Sequence, residues 1–197
     1  MYGKTGQQSL GNTGTPGPVR IAWDGSLSAV DNRMQAAIDG RLFAAAMQTP
    51  TTTSTTLNTT FVGLGLCNPT GSGKILVVHE FSYGQTAAIT AGALLALATT
   101  TDSGFATDIV PRCCRYGAGA SIALVKKSVT IAAPVIERII ASLGQGANTV
   151  AMAGNPCRVD LQGGIVLPPG RSVVTDTTVA VGAVMQFGFI WEEIPLQ

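Results

Sequence analysis

From about residue 57 to the C-terminus, short segments of alternating apolar and polar residues are separated by turns rich in Gly and Pro. Alternation with a period of two is typical of a strand with one buried face, whereas an amphipathic helix repeats every three to four residues. In the last segment, for example, Met185, Phe187, Phe189 and Trp191 would share one face of a strand. Several short strands with no long helical repeat predict an all-β antiparallel β-sandwich. The predicted strands cover 62–66, 75–83, 89–97, 122–131, 135–143, 165–167, 173–181 and 184–194.

The chain contains a single histidine, His79, inside one of these predicted strands. A catalytic histidine needs a third group that holds its ring against a nucleophile or a substrate. A packed, hydrogen-bonded histidine is therefore the preferred interpretation. Strict alternation would place its side chain on one apolar face together with Ile75, Val77, Phe81 and Tyr83.

The segment Gly71-Ser72-Gly73-Lys74 matches part of a phosphate-binding loop. The full pattern also needs a Gly at the position of Asn68 and a Ser or Thr at the position of Ile75. Such a loop leads into a helix whose N-terminus faces the anion, whereas this segment joins two predicted strands. A β-hairpin turn is the preferred interpretation.

The first part of the chain differs from the rest. Residues 3–18 hold five Gly and two Pro with no apolar periodicity, so this segment cannot offset its own ordering entropy. We expect an extended N-terminal arm that becomes ordered against a partner. Within this arm, Val19, Ile21 and Trp23 alternate with Arg20 and form a short strand-like piece.

The region between the arm and the first predicted strand has two parts. Over 33–47, Met34, Ile38 and Leu42 fit a helical stripe, although Gly40 interrupts it. The Thr-rich run at 49–56 has the composition of a linker. The predicted division is an extended N-terminal arm and linker over 1–56 and a β-sandwich domain over 57–197.

Charged residues make up only 12% of the chain, about half of the usual share. Since 12 basic residues are balanced by 11 acidic ones, the composition argues against a nucleic-acid partner. No apolar stretch approaches the roughly 20 residues of a membrane helix, and no signal peptide is expected at the N-terminus. A surface so poor in charge indicates burial against copies of the same chain or other chains. The alternative is a Thr-rich β-protein that hydroxyl groups keep soluble.

The remaining candidates for chemistry do not form an active site in the sequence. The cysteines lack Cys-x-x-Cys spacing, and reduced, buried thiols are expected, with a bridge from Cys113 or Cys114 to Cys67 or Cys157 left open. Asp102 and Asp108 are interpreted as turn residues rather than Ca²⁺ ligands. Glu192 and Glu193 would point to opposite faces of a strand, so they cannot act as a paired acid and base. We therefore expect no enzyme activity, no cofactor and no metal.

Four segments resemble virion structural proteins of tailed phages. They are the opening Met1-Tyr2-Gly3-Lys4-Thr5-Gly6-Gln7-Gln8-Ser9, the turn Asn68-Pro69-Thr70-Gly71-Ser72-Gly73-Lys74, Leu167-Pro168-Pro169-Gly170-Arg171, and the closing Phe189-Ile190-Trp191-Glu192-Glu193-Ile194-Pro195. The resemblance implies a jelly-roll-like sandwich that decorates the capsid as a cement protein. It also implies a homotrimer that binds the major capsid protein on the virion surface after synthesis in the host cytoplasm.

The expected partner-binding residues lie in the arm, where Arg20 and Trp23 are the predicted anchors. An arm that becomes ordered on binding covers a large area of a partner in spite of its entropic cost. The alternative is a tail, spike or head-fibre component that binds host glycan.

Overall fold

The computed structural model describes residues 20–21, 27–28, 32–53, 60–86, 92–130, 134–143, 157–181 and 185–196. These ranges contain one helix, α1 (Asn32–Ile38), and no helix among them is long and apolar enough to cross a membrane. They also contain the strands β1 (Arg20–Ile21), β2 (Leu27–Ser28), β3 (Leu42–Ala46), β4 (Thr60–Asn68), β5 (Lys74–Gln85), β6 (Ala93–Thr101), β7 (Arg112–Cys113), β8 (Leu124–Thr130), β9 (Val135–Leu143), β10 (Cys157–Leu167), β11 (Arg171–Thr177) and β12 (Met185–Pro195).

Ten of these strands form two five-stranded antiparallel sheets. Sheet I has the order β10-β5-β12-β3-β7, and sheet II has the order β8-β4-β11-β6-β9. The pairing is nested: β3 pairs with β12, β4 with β11, β5 with β10 and β6 with β9. In a jelly roll, the first strand pairs with the last, the second with the second-to-last, and the remaining strands pair in the same way toward the middle of the chain. The predicted all-β sandwich with a jelly-roll-like arrangement is confirmed.

The core between the two sheets is built around the aromatic face of β12. Trp191 stacks on Phe43 of β3 with ring centroids 6.3 Å apart. The ring centroid of Phe81 on β5 lies 5.3 Å from that of Phe189 and 6.0 Å from that of Phe187. Large aromatic side chains bury more apolar area than any others. The predicted stripe of Met185, Phe187, Phe189 and Trp191 on one buried face is confirmed.

A β-bulge at His79 changes the face that β5 presents to the core. Ile190 pairs with Glu80 and Trp191 pairs with Val78, so His79 is an extra residue on β5. The residues that face inward are therefore Leu76 and Val78 before the bulge and Phe81 and Tyr83 after it. The prediction that Ile75, Val77, His79, Phe81 and Tyr83 share one face is wrong for this reason.

The turn over 69–73 passes from one sheet to the other, because β4 lies in sheet II and β5 in sheet I. The β-hairpin interpretation of Gly71-Ser72-Gly73-Lys74 is therefore wrong, although the segment does join two strands. The buried Asn68 side chain holds this corner, since its Nδ2 donates to the carbonyl oxygens of Lys74 and Leu167, each at 2.8 Å. The corner between β10 and β11 lies beside it and turns at Gly170, where φ is +80°.

The ambiguous segment over 33–47 divides at Gly40, where its helical pattern is interrupted, into α1 and β3. Gly40 adopts φ +73°, which ends the helical region, and β3 follows. Met34 and Ile38 are exposed instead of packed. Since β3 lies between β12 and β7, sheet I takes an inner strand from the range predicted to be arm and linker. Farther along that range, the buried Thr53 hydroxyl accepts a hydrogen bond from the backbone N of Val181 at 3.1 Å.

Candidate functional site

Charged side chains on the outer face of sheet I form ion pairs between α1 and the strands. The Glu80 carboxylate of β5 lies 2.8 Å from the Arg33 guanidinium of α1 and 2.7 Å from that of Arg158 on β10. Asp160 lies 3.9 Å from the same Arg33. The Glu80 side chain is almost fully buried, so its charge is balanced where water cannot solvate it. This cluster fastens α1 to the sheet.

His79 lies beside this cluster and is packed, as the sequence predicts. Its Nε2 atom lies 3.3 Å from Glu192 of β12, and the Arg41 guanidinium also binds Glu192. The second terminal nitrogen of Arg41 binds Asp39 at 3.0 Å. This bond, together with one from Gln35, lowers the pKa of the Asp39 carboxyl. The His79 side chain is only 13% exposed, and it points to the outer face because of the bulge.

Glu193 follows Glu192 in the chain but has a separate set of partners. Its carboxylate lies 2.8 Å from Lys74 and accepts hydrogen bonds from the Ser121 hydroxyl at 2.5 Å and from the Ile122 backbone N at 3.0 Å. Since the two carboxylates serve different clusters on opposite faces, they do not form an acid–base pair. The expectation for this pair is confirmed.

The four cysteines form no disulfide bond, and two of them, Cys67 and Cys114, are poorly suited to nucleophilic chemistry. Burial raises the pKa of Cys67 to about 12, and burial also raises the pKa of Cys114. A thiol reacts as the thiolate, so a raised pKa lowers its reactivity. Cys114 is exposed, which corrects the expectation that all four thiols are buried. Among the residues described, no group of three or more His, Cys, Asp or Glu side chains is arranged to hold a metal.

Asp102 and Asp108 act as turn residues. The Asp102 carboxylate accepts a hydrogen bond from the Thr70 backbone N at 2.9 Å, and the bonds from Thr70 lower its pKa. Asp108 accepts a bond from the Lys127 backbone N at 3.2 Å. Both carboxylates therefore organise the loop between β6 and β8.

The outer face of sheet II is apolar where that of sheet I is charged. Ala96 and Ala98 of β6 and Val174 of β11 are buried on this face, outside the core cluster. The exposed apolar side chains beside them form what we call the sheet II patch. This patch consists of Leu94, Ile136 and Ile139, which are 38%, 40% and 56% exposed. A cluster of exposed apolar side chains marks an interaction surface more often than an isolated one does.

A buried carboxyl lies within this apolar face. Asp176 of β11 pairs with Ala96 and is only 7% exposed. Burial raises the pKa of its carboxyl to about 6. The ionised carboxylate destabilises the fold at this position, because burial removes its hydration water and few polar groups take the place of that water. The sequence shows no sign of this, since Asp176 lies between threonines in a segment that reads as an ordinary strand.

The two residues that the sequence predicts as anchors of the arm lie at the margin of the described part of the chain. Arg20 lies in β1, which pairs with β2, and Trp23 lies outside the described residues. The sheet II patch was missed at the sequence level. Its signal was present in 135–143, where Val135, Ile136, Ile139 and Ile140 break the period-two alternation expected of a strand with one solvent-facing side.

Comparison of the chain with protein-family models, curated proteins and solved structures finds no match. The function is therefore inferred from the chain's own residues and from the resemblance of the four segments named above.

Proposed function

We propose that this chain is a tailed-phage virion structural protein that decorates the capsid as a cement protein. The observation that carries the proposal is the sheet II patch on a sandwich with few charges. A monomer that must stay soluble normally covers its surface with charge. An apolar patch on a low-charge surface suits a protein that is buried between other subunits.

The proposed partners are the major capsid protein and further copies of this chain, arranged as a homotrimer on the virion surface. In this proposal, the sandwich supplies a rigid body and the N-terminal arm supplies extended contacts along capsid subunits. Arg20 and Trp23 remain the proposed anchors of the arm. Arginine and tryptophan are among the residue types that contribute most to binding energy at interfaces. The protein would act by binding, with no catalytic step, cofactor or metal.

The first experiment is quantitative mass spectrometry of purified particles. The proposal expects a ratio of this chain to the major capsid protein near one or near a simple fraction of one. A ratio of a few per cent would instead indicate a tail, spike or connector component. Absence of the chain from particles would contradict the proposal.

A second experiment tests the arm. Because β3 is an inner strand of sheet I, the deletion has to end before α1, and removal of residues 1–19 leaves every strand in place. We expect the shortened chain to fold and to bind particles more weakly than the full chain. The matched variants are Arg20→Ala and Trp23→Ala in the full chain. Unchanged binding by the shortened chain and by both point variants would exclude the arm as the anchor.

A second candidate function is supported by the long loop between β6 and β8. Tyr116 in this loop is fully exposed, and Arg112 and Arg115 lie close to it in the sequence and are exposed as well. Exposed aromatic and arginine side chains on a loop are suited to ligand binding. The candidate is a tail, spike or head-fibre component that binds host glycan. Glycan-array binding that is lost in Tyr116→Ala would favour this candidate over the decoration protein.

A further inference from the structure

Strand β9 forms one edge of sheet II. It pairs with β6 on one side, and no strand within the described part of the chain pairs with its other side. Eight of its nine residues are exposed or half-buried, and Val135, Ile136 and Ile139 are the most exposed apolar ones. A long edge strand with exposed apolar side chains is a template for pairing with another strand.

Two β-bulges give this edge an unusual pattern of faces. Ile139 pairs with Ala96, Arg138 with Leu97 and Ile136 with Ala98, so Glu137 is an extra residue; Ala141 pairs with Leu95, so Ile140 is a second one. Leu97 points into the core, and Ala96 and Ala98 therefore point outward. Residues that lie opposite each other share a face, so Ile136 and Ile139 both point outward although they are three positions apart.

We propose that β9 pairs antiparallel with β9 of a second copy, across a two-fold axis that passes between Glu137 and Arg138. In this register Glu137 lies opposite Arg138 of the second copy, and Ile136 lies opposite Ile139. Val135 lies opposite Ile140 on the inner side. Each pair occurs twice because the contact is isologous.

Charge complementarity points to a second copy as the occupant. The two opposite charges are adjacent in sequence at the centre of the exposed edge, so a two-fold axis brings each one against its complement. Glu137 and Arg138 each make one hydrogen bond within the chain and can make more. The Arg138 guanidinium donates to the Gly164 carbonyl oxygen at 2.8 Å, and one Glu137 oxygen accepts from the Thr99 hydroxyl at 2.8 Å. The other carboxylate oxygen and the remaining guanidinium donors are available to the second copy.

The bulge at Glu137 makes this register consistent with the faces on which the side chains lie. In a regular strand, residues three apart point to opposite faces, and this register would set an outward side chain against an inward one. Here the outward pair Ile136 and Ile139 and the inward pair Val135 and Ile140 each meet side chains on their own face. A one-residue slip in either direction would remove both the charge match and the apolar match.

This contact goes beyond the proposed function and does not depend on it, because it is measured on the purified chain without particles. The proposed homotrimer needs a heterologous contact, whereas this contact is isologous, so the two would use different surfaces. In a shell, an isologous contact would join neighbouring trimers.

The test uses charge reversal on the full chain, followed by sedimentation and native mass spectrometry. Glu137→Arg sets arginine against arginine across the axis, and Arg138→Glu sets glutamate against glutamate. We expect each variant alone to associate about tenfold more weakly than the wild type through this contact. An equimolar mixture of the two should form a mixed pair as tightly as the wild type, since every charge then meets its complement. The double variant should also recover self-association.

The control is Arg112→Glu, which reverses a charge on β7 at the edge of sheet I and should associate like the wild type. Urea denaturation of each variant shows whether it is folded, and recovery in the mixture gives an independent sign of folding. The proposal is overturned if the wild type shows no two-fold association, if single reversals associate as well as the wild type, or if the mixture fails to recover. A mixed pair that associates about as tightly as the wild type supports the proposal.

Discussion

Removal of the charge at Asp176 should stabilise the fold at neutral pH. Burial in the outer face of sheet II raises the pKa of this carboxyl from 3.8 to about 6. Each pH unit between the folded and the unfolded pKa corresponds to about 1.4 kcal/mol, so the charged form costs up to about 3 kcal/mol of stability. Asp176→Asn keeps the shape of the side chain without the charge. We expect its free energy of unfolding at about pH 8 to exceed that of the wild type by about 1 to 3 kcal/mol.

The sign of the pH dependence follows from linkage. The folded state holds the proton more tightly than the unfolded state, so the wild type gains stability as the pH falls from about 6 to about 4. The advantage of Asp176→Asn should therefore shrink over that range and vanish near the pKa of an unfolded aspartate. Urea denaturation of both chains at several pH values measures this difference directly.

Asp102 provides a matched control of opposite sign. Bonds from Thr70 lower the pKa of its carboxyl, so the charged form contributes stability above the unfolded pKa and loses it as the pH falls through the folded pKa. Asp102→Asn should be less stable than the wild type at neutral pH, with a gap that closes in acid. If Asp176→Asn is no more stable than the wild type at neutral pH, or if its advantage does not change with pH, the argument from burial is refuted.

Three further predictions concern packing and ion pairs, each measured by urea denaturation. Glu80→Ala should cost about 2 kcal/mol, because it removes the buried carboxylate that both Arg33 and Arg158 bind, and a loss of less than about 1 kcal/mol, as for an exposed surface pair, would contradict the role of the cluster. Gly65→Ala should cost about 1 kcal/mol, because its new Cβ would lie 2.7 Å from the Phe105 ring, and Phe105→Ala should cancel this clash in the double variant. Thr53→Val should cost about 1 kcal/mol through the lost hydroxyl bonds; no effect would show that this segment does not contribute to the fold.

The sequence predicts the bounds of one strand and the buried face of another correctly. The strand predicted over 135–143 matches β9 residue for residue, and the four large side chains of β12 face the core as expected. Alternation is a local signal, and it survives wherever pairing is regular. The pairing of distant strands is not local, so alternation does not predict the nested order of the sheets, and the jelly-roll-like arrangement was implied only by the resemblance.

The errors have particular physical causes. One extra residue at His79 reverses the faces of half of β5, and nothing in the local sequence marks a bulge at that position. Gly40 adopts a left-handed conformation that separates α1 from β3, whereas the helical spacing of apolar residues in the sequence continues past it. The turn after Asn68 has hairpin composition but crosses between sheets, since turn residues specify a change of direction and not the sheet that receives the chain.

The same reasoning explains why the two outer faces of the sandwich differ. Sheet I carries its acids in pairs with arginine, lysine or histidine, and the Arg33–Glu80 and Arg41–Glu192 contacts attach the segment before β3 to that face. The outer face of sheet II has buried alanines beside exposed isoleucines, and Asp176 lies among them with a charge that burial makes costly. A face that is short of charge is inexpensive to dehydrate, because few polar groups lose their water. Sheet II is therefore the face on which association with another subunit has the lowest desolvation cost, and its β9 edge adds a charge pattern that favours one register.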